Sequence, residues 1–198
     1  MTPLLLASAS PRRAEILRAL GIPFDVSPVE IPEEPLPGET AEAAAARLAA
    51  EKATLAARRD PGAWVLAADT LVFLDGAILG KPRDDAEAGV MLRRLSGREH
   101  GVVTAVSLRR GEAPARGLAE VSRVRFAPLD EAEIAWYVAT GEPRDKAGAY
   151  GVQGLGARFI EGIHGSFTNV MGLPARAVYR LLRASPDPAL ALLALSSG

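Results

Sequence analysis

Charged residues that could act on a phosphate stand at the ends of apolar runs in the middle of the chain. Asp69 ends the apolar run 65–68, and Lys81 follows a second run and the hairpin signal Asp75-Gly76. A charge at the edge of a buried strand needs a partner, because burying an unpaired charge is costly. Asp69 and Lys81 could pair with each other or cap turns, or they could bind a ligand, and this segment leaves both interpretations open.

Rare residue types mark further candidates for chemistry. Only three of the 23 basic residues are lysines, namely Lys52, Lys81 and Lys146, and the chain holds one glutamine (Gln153) and one asparagine (Asn169). Lysine is a compact point charge, whereas arginine is a wide planar fork. Positions that keep lysine or an amide in this arginine-rich chain are therefore candidates for roles that arginine or glutamate cannot fill.

The first predicted helix, Pro11 to Leu20, is expected to bind an anion at its start. Ser10 is its predicted N-cap, and Arg12 and Arg13 lie in the first turn, shortly after the small residue Ser8. Because the N-terminus of a helix is already positive, two arginines there favour a bound anion. In the alternative, both arginines point into water at a cost of only tenths of a kcal/mol.

The second predicted helix runs from Ala41 to about Arg59 and carries Lys52 on its apolar face. Lys52 follows Leu48 by four residues and precedes Leu55 by three, which places all three side chains on one stripe. A lysine in that position either snorkels to the surface or points at a buried anion. The scarcity of lysine favours the buried anion.

Two loops complete the set of candidates. Glu33 and Glu34 lie in a proline-rich loop and are most simply solvated acids. A glycine-rich loop at 145–156 carries Lys146 and Gln153, but its G-x-x-G-x-G spacing differs from the dinucleotide fingerprint. The amide of Gln153 offers both a donor and an acceptor, which suits the imide edge of uracil or thymine.

Composition and length exclude several classes of protein. The net charge of −1 provides no general attraction for nucleic acid or an anionic membrane. The chain has no cysteine and two histidines, which excludes disulfides, thiolate zinc sites and histidine-rich metal clusters. The N-terminus lacks a basic signal-peptide region, and no apolar run approaches the roughly 20 residues that span a bilayer. We therefore expect a cytoplasmic protein.

The order of predicted elements indicates a mixed α/β fold. Helices and strands alternate early, hairpins dominate later, and no linker or repeat divides residues 1–198, so we predict one domain with two lobes flanking a cleft. Thr104 lies within a predicted strand and is interpreted as a β-branched filler. The tail 189–198 is predicted to form at most a short apolar helical turn that frays or packs on a partner.

The collected residues favour chemistry on a phosphoanhydride. Phosphoryl chemistry needs cations around the phosphates and carboxylates that hold a divalent metal or orient water. The sequence has no P-loop, no serine nucleophile elbow and no cysteine, which argues against kinases, GTPases and acyl transfer. Hydrolysis of a nucleotide by metal-activated water fits best.

The chain resembles the Maf family, also called septum formation inhibitor proteins, from Leu4 to about Leu182. The motifs that carry the resemblance are Ser-Ala-Ser-Pro-Arg-Arg at 8–13, Ala-Asp-Thr at 68–70, Gly-Lys-Pro at 80–82, Leu-Ser-Gly-Arg-Glu-His at 95–100, Asp-Lys-Ala-Gly-Ala-Tyr-Gly-Val-Gln-Gly at 145–154 and Val-Met-Gly-Leu-Pro at 170–174. The resemblance implies a nucleoside triphosphate pyrophosphatase with an inosine-triphosphatase-like α/β fold, which cuts between the α- and β-phosphates.

The resemblance also implies roles for individual residues. Asp69 matches the family's proton acceptor, and the positions that set base preference are matched by Arg12, Thr70 and Gln153, as in the subgroup that acts on dTTP and UTP. The polar lining of the family's cleft is matched by Arg13, Glu33, Lys52 and Lys81. We add Ser8 and Lys146 as substrate-binding residues, and Glu33 and Asp69 as ligands of Mg²⁺ or Mn²⁺.

Two further expectations follow from the resemblance. The rival function is a regulator of septum formation and cell division that binds nucleotides without hydrolysing them. The presence of both Asp69 and the cations favours turnover, because a binding protein has little use for an acid that activates water. The apolar tail and the family analogy lead us to expect a homodimer.

Overall fold

The structure is a computed structural model that describes residues 4–195, and within them a seven-stranded mixed sheet carries helices on both faces. The strands are β1 (Leu4–Leu6), β2 (Asp25–Val26), β3 (Trp64–Leu74), β4 (Ala77–Leu79), β5 (Glu99–Arg110), β6 (Arg116–Phe126) and β7 (Ile160–His164). The helices are α1 (Pro11–Ala19), α2 (Ala41–Arg59), α3 (Asp85–Leu95), α4 (Glu131–Ala139), α5 (Phe167–Met171), α6 (Ala175–Arg183) and α7 (Pro188–Leu193). Short 3₁₀ turns cover Glu142–Asp145, Ala147–Ala149 and Leu155–Phe159.

The long strand β3 organises the sheet, because it has two different partners along one edge. Its other edge pairs with β5 in an antiparallel register, and the sheet continues through β6 to β7. On the first edge, β1 pairs in parallel with residues 64–66, and β4 pairs in antiparallel fashion with residues 72–74. Within residues 4–195, the stretch 67–71 has no strand partner on this edge, so the sheet opens there.

The side chains of β3 alternate between two faces, and the faces are covered differently. One set faces α2, whose alanines pack closely on the strand. The other set is divided between two separate cores. Trp64, Leu66 and Ala68 pack with α1, α6 and α7, whereas Val72 and Leu74 pack with α3 and α4. These two cores form the two predicted lobes. The opening in the sheet at residues 67–71 lies between them.

Several local predictions are confirmed. α2 occupies the predicted range, and the side chain of Thr40 accepts a hydrogen bond from the Ala43 amide at 3.2 Å. Ser10 is the N-cap residue of α1, followed by proline as expected. The Ser10 side chain does not cap the helix, however, and the Ser10 amide instead donates to the Ser8 hydroxyl at 3.2 Å.

One prediction of extent is wrong. The strand that was expected to end at Asp69 continues to Leu74, because Asp69 is paired within the fold and does not interrupt the ladder to β5. Between α1 and α2 the chain forms only the short strand Asp25–Val26. None of the helices within residues 4–195 is long and apolar enough to cross a membrane.

The tail forms α7 and packs on its own chain. Leu190 and Leu193 are buried in the core that α1 and α6 share, whereas Leu192 and Leu195 are exposed. The expectation that the tail frays is therefore wrong for α7, because two of its three leucines are buried against the same chain. Residues 196–198 of the predicted tail lie outside the described residues.

Candidate active site

A cleft of about 1060 Å³ opens at the unpaired stretch of β3, between the two lobes. Its volume lies near the upper end of the range for small-molecule sites in proteins. Nine of the ten predicted site residues line it, namely Ser8, Arg12, Arg13, Glu33, Lys52, Asp69, Thr70, Lys81 and Lys146. The fold therefore brings together residues from widely separated parts of the chain.

A row of alternating charges crosses one side of the cleft. The Lys52 Nζ atom lies 2.6 Å from Oδ1 of Asp69 and 2.5 Å from Oε1 of Glu33. The other carboxylate oxygen of Glu33 accepts a hydrogen bond from Lys81 Nζ at 2.7 Å. Lys52 therefore points at buried acid rather than snorkelling to the surface, and Asp69 pairs with Lys52 rather than with Lys81.

The two acids of this row lie in different environments. Asp69 is only 4% exposed, and burial raises its pKa, while the attraction of Lys52 and Arg13 acts in the opposite direction without cancelling it. Glu33 is half-exposed, and burial opposes its ionisation, but hydrogen bonds from Lys52 and Lys81 lower its pKa to about 2. Asp69 is thus the acid of the pair that is easier to protonate.

Arg13 connects three parts of the cleft through its guanidinium group. Nε donates to the Gly172 carbonyl at 2.9 Å, Nη1 to the Ser8 hydroxyl at 3.0 Å, and Nη2 to the Thr70 hydroxyl at 3.2 Å. Burial lowers the pKa of Arg13, and the nearby carboxylates of Asp69 and Glu33 oppose that shift. Arg13 therefore does not point into water, which was the alternative interpretation of the first turn of α1.

Thr104 has a role that the sequence did not indicate. Thr104 lies in β5, and its hydroxyl is 2.9 Å from the hydroxyl of its register partner in β3, Thr70. The Thr104 hydroxyl also donates to the Asn169 carbonyl at 2.9 Å. Asn169 is fully buried, and its amide donates to the Val102 carbonyl and the Ser122 hydroxyl. The single asparagine thus supports the floor of the cleft and does not face the cavity.

The second lobe contributes Lys146 and an acid that sequence reasoning missed. Lys146 Nζ donates to the Glu142 carbonyl at 2.7 Å and to Asp145 at 2.6 Å. Asp145 lines the cleft. Burial acts to raise the pKa of Asp145, but Lys146, and more weakly Arg12, hold that pKa below its ordinary value. Asp145 begins the motif at 145–154, but in the sequence it looks the same as an acidic residue of any solvated loop.

Gln153 is the one predicted site residue that does not line the cavity. Its side chain is exposed, and it follows directly on Gly151 and Val152, which do line the cleft. Gln153 therefore lies at the rim, on a loop whose backbone borders the cleft.

The described part of the cleft brings together too few carboxylates to hold a metal ion without help from the substrate. No group of three histidine, aspartate or glutamate side chains that could hold a metal occurs within residues 4–195. Both oxygens of Glu33 are bound by lysines, whereas in the same region Oδ2 of Asp69 accepts no hydrogen bond. Mg²⁺ is commonly held by one or two carboxylates together with substrate phosphates, and the cleft can provide that number.

Comparison with known proteins identifies the family. A family model described as Maf-like protein matches residues 3–185. The chain belongs to the Maf family. Over 189 residues the Maf chain is 52% identical to the dTTP/UTP pyrophosphatase of Myxococcus xanthus (strain DK1622), covering 94% of both chains. It is 50% identical over 182 residues to the dTTP/UTP pyrophosphatase of Symbiobacterium thermophilum, covering 92% of this chain and 93% of the relative.

A solved structure shows the same fold at low sequence identity. The Ham1 protein of Staphylococcus aureus aligns with a TM-score of 0.51 and 15% identity, covering 98% of the Maf chain and 96% of the other. Identity at this level bears on the fold alone. The predicted mixed α/β fold of inosine-triphosphatase type, with a cleft between two lobes, is confirmed.

Proposed function

We propose that this Maf chain is a nucleoside triphosphate pyrophosphatase that hydrolyses dTTP and UTP to the monophosphate and pyrophosphate. The observation that carries the proposal is the placement of a buried aspartate, Asp69, beside the cations of one nucleotide-sized cleft. The relatives at about half identity, which carry the name dTTP/UTP pyrophosphatase, support it.

The cations of the cleft bind the triphosphate. Lys52 and Lys81 both contact Glu33, so phosphate oxygens that enter the cleft compete with Glu33 for two ammonium groups. Arg12 lies at the cleft in the first turn of α1, where free helix amides add to its charge. Charge neutralisation at these positions stabilises the negative charge that develops on the leaving pyrophosphate.

Asp69 accepts the proton of the attacking water. A general base works best when its pKa approaches the working pH, and burial moves the pKa of Asp69 in that direction. Lys52 holds one carboxylate oxygen at 2.6 Å, which leaves the second oxygen available to the water. The same ammonium favours the ionised form of Asp69 and so opposes the effect of burial.

Asp69 and Glu33 would hold a divalent cation, Mg²⁺ or Mn²⁺, together with phosphate oxygens. When bound, such an ion lowers the pKa of a water ligand and neutralises phosphate charge. Glu33 contributes only after one of its oxygens leaves a lysine, which the arrival of phosphate would favour.

Base preference is assigned to Arg12, Thr70 and Gln153. Gln153 at the rim can pair its amide with the imide edge of uracil or thymine. The Thr70 hydroxyl is held between Arg13 and Thr104, so its orientation is fixed before a nucleotide binds. Uracil nucleotides modified at C5 keep the same imide edge and belong to the same substrate class.

Release of pyrophosphate by the wild type and by Asp69→Asn tests the proposal. The protein is incubated with each nucleoside triphosphate and Mg²⁺, and pyrophosphate is measured against orthophosphate. We expect pyrophosphate from dTTP and UTP, and a kcat lowered roughly 10²–10⁴-fold in Asp69→Asn, because amide nitrogen and oxygen cannot accept the proton. Binding of nucleotide without pyrophosphate release by the wild type would support the rival regulatory function, and undiminished release by Asp69→Asn would reject the role of Asp69.

A further inference from the structure

Residues 151–156 of the glycine-rich loop lie in close contact with the side chains of Glu142 and Tyr137. A Cβ atom added to Gly154 would lie 2.8 Å from Oε2 of Glu142, and one added to Gly156 would lie 2.6 Å from the Tyr137 hydroxyl. A Cβ atom at Gly151 would lie 2.9 Å from the Gln153 carbonyl oxygen. A side chain at any of these positions would displace a neighbouring group, and Gly154 also has a φ of +96°, which favours glycine.

The carboxylate of Glu142 holds the C-terminal half of the loop, at Leu155 and Gly156. Oε2 accepts a hydrogen bond from the Leu155 amide at 2.9 Å, and Oε1 accepts one from the Gly156 amide at 3.1 Å. Burial opposes the ionisation of Glu142, but these donors and the Tyr137 hydroxyl hold its pKa below the ordinary value. The carboxylate therefore stays ionised and fixes two consecutive amides.

Tyr137 connects the carboxylate of Glu142 to Gly151, at the N-terminal end of the loop. Its hydroxyl donates to Oε1 of Glu142 at 2.9 Å and accepts a hydrogen bond from the Gly151 amide at 3.1 Å. The ring is completely buried in the core of the second lobe, between α4 and the 3₁₀ turn Leu155–Phe159. Both ends of the loop are thus hydrogen-bonded to the side chains of Tyr137 and Glu142, which contact each other.

The loop that this pair fixes is the one that carries Gln153 at the rim of the cleft. Gly151 and Val152 line the cavity, and Gln153 projects between the two tied ends. Within residues 4–195 no hydrogen bond holds the Gln153 side chain itself. Its position is therefore set through the backbone of the loop, which Glu142 and Tyr137 hold by three hydrogen bonds.

We propose that Glu142 and Tyr137 are positioning residues for nucleotide selection, because they fix the loop from which Gln153 meets a pyrimidine base. The inference rests on the proposed pyrophosphatase function and assigns selectivity to two residues that do not touch the substrate. Loss of this pair reduces the preference for a uracil base and leaves the chemical step at Asp69 largely intact.

Selectivity measurements on Glu142→Gln and Tyr137→Phe test the inference. Glutamine keeps the size of Glu142 but places an NH₂ group against an amide donor, and phenylalanine keeps the ring of Tyr137 without its hydroxyl. For Glu142→Gln we expect the ratio of kcat/KM for UTP to that for CTP to fall about tenfold, the equivalent of one lost hydrogen bond. The kcat at saturating UTP should change by less than about threefold, because Asp69 is untouched. For Tyr137→Phe we expect a smaller fall in the same ratio.

A double-mutant cycle with Gln153→Ala separates positioning from a general structural role. If Glu142 acts through Gln153, then Glu142→Gln should change the UTP to CTP ratio by less than about twofold in the Gln153→Ala background. The matched control is Glu131→Gln on α4, which removes an exposed ion pair with Arg93 of α3. We expect this control to keep the wild-type ratio.

Three outcomes would overturn the inference, and they differ from failure of the proposed function. The inference is overturned if both Glu142→Gln and Tyr137→Phe keep the wild-type ratio of kcat/KM for UTP to that for CTP. It is also overturned if Glu142→Gln changes this ratio equally in the wild-type and the Gln153→Ala backgrounds. Unchanged selectivity in Gln153→Ala would also overturn it, while pyrophosphatase activity would stand. Failure of the wild type to release pyrophosphate from any nucleotide would instead reject the proposed function. If Glu142→Gln does not fold, Tyr137→Phe carries the same cycle.

Discussion

Asp69 and Glu33 contact the same ammonium group, yet their pKa values shift in opposite directions. Asp69 is almost fully buried and shares only one lysine, so desolvation dominates and its pKa rises. Glu33 is half-exposed and accepts from two lysines, so its pKa falls to about 2. The ionised form of Glu33 therefore stabilises the fold above about pH 4.5, and this contribution is lost as the pH falls towards 2.

The acid limb of the pH–rate profile reports the protonation of Asp69. Lys52→Met removes the ammonium that favours the carboxylate and keeps the burial, so the pKa of Asp69 should rise further. We expect the acid limb of kcat/KM to move to higher pH by about one unit or more relative to the wild type. The comparison uses one substrate, so that titration of its phosphates cancels.

Lys81→Met is the matched control for this profile. It removes a cleft ammonium that contacts Glu33 and not Asp69, so activity should fall while the acid limb stays in place. An acid limb that does not move in Lys52→Met, or one that moves equally in both variants, would contradict the assignment of the limb to Asp69.

The guanidinium of Arg13 is expected to matter for stability as well as for charge. Arg13→Lys keeps the charge but cannot reach Ser8, Thr70 and Gly172 together, so at least two hydrogen bonds are lost. We expect the free energy of unfolding to fall by about 2–4 kcal/mol in urea titrations. Arg12→Lys, at the neighbouring position, should stay within about 0.5 kcal/mol of the wild type. Equal stability of the two variants would show that the three contacts of Arg13 contribute little.

Residue types revealed most of the lysines and arginines that line the cleft, but not the partners that hold them. Lys52 and Asp69 were found because charge in an apolar run is unusual and therefore informative. Thr104 and Glu142 were missed, because a threonine in a strand and a glutamate after a helix are ordinary. Their roles depend on the register of β5 against β3 and on the path of the loop, and neither can be read from local sequence.

At the scale of elements, helices were easier to predict than strands. The helices α2 and α4 begin at side chains that accept from the helix amides, and such capping signals are local in sequence. The continuity of β3 was not predicted, because Asp69 reads as an interruption until its partner Lys52 is known. The ladder to β5 holds the strand together through that residue.

The capping box of α4 should contribute measurably to stability. Asp130 accepts from the Glu133 amide at 2.8 Å, and the Glu133 side chain accepts from the Asp130 amide at 2.9 Å. Asp130→Ala removes the cap and should lower the free energy of unfolding by about 1–2 kcal/mol. Asp130→Ser retains a capping oxygen and should lose markedly less. The prediction fails if the alanine and serine variants unfold at the same urea concentration.

At the scale of the whole molecule, the cleft exists because two strands share one edge of β3. β1 and β4 leave residues 67–71 of β3 without a strand partner between them, and the lobes on either side carry separate cores. The sequence predicted two lobes from the order of elements. It could not place the opening, because which strands share an edge depends on long-range pairing.

The expected homodimer remains a prediction with a narrower basis. It drew on the apolar tail, and Leu190 and Leu193 of that tail are buried within the chain itself. Leu192 and Leu195 are the tail leucines that remain exposed. Any contact between copies through the tail would therefore have to use that smaller surface.

Asp187 ties the C-terminal helix to the rest of the fold, and this can be followed by tryptophan fluorescence. Its carboxylate accepts from Trp64 Nε1 at 2.9 Å and from Arg110 at 3.3 Å, and it caps α7 through the Ala189 amide. We expect Asp187→Ala to lower the unfolding midpoint by roughly 3–8 °C and to expose Trp64 to water earlier in the transition. Emission from Trp64 is isolated in a Trp136→Phe background, since the chain has two tryptophans. Glu161→Ala, which removes an exposed ion pair with Arg125, is the control and should shift the midpoint by about 2 °C or less. If Asp187→Ala matches this control, α7 is held by its leucines alone.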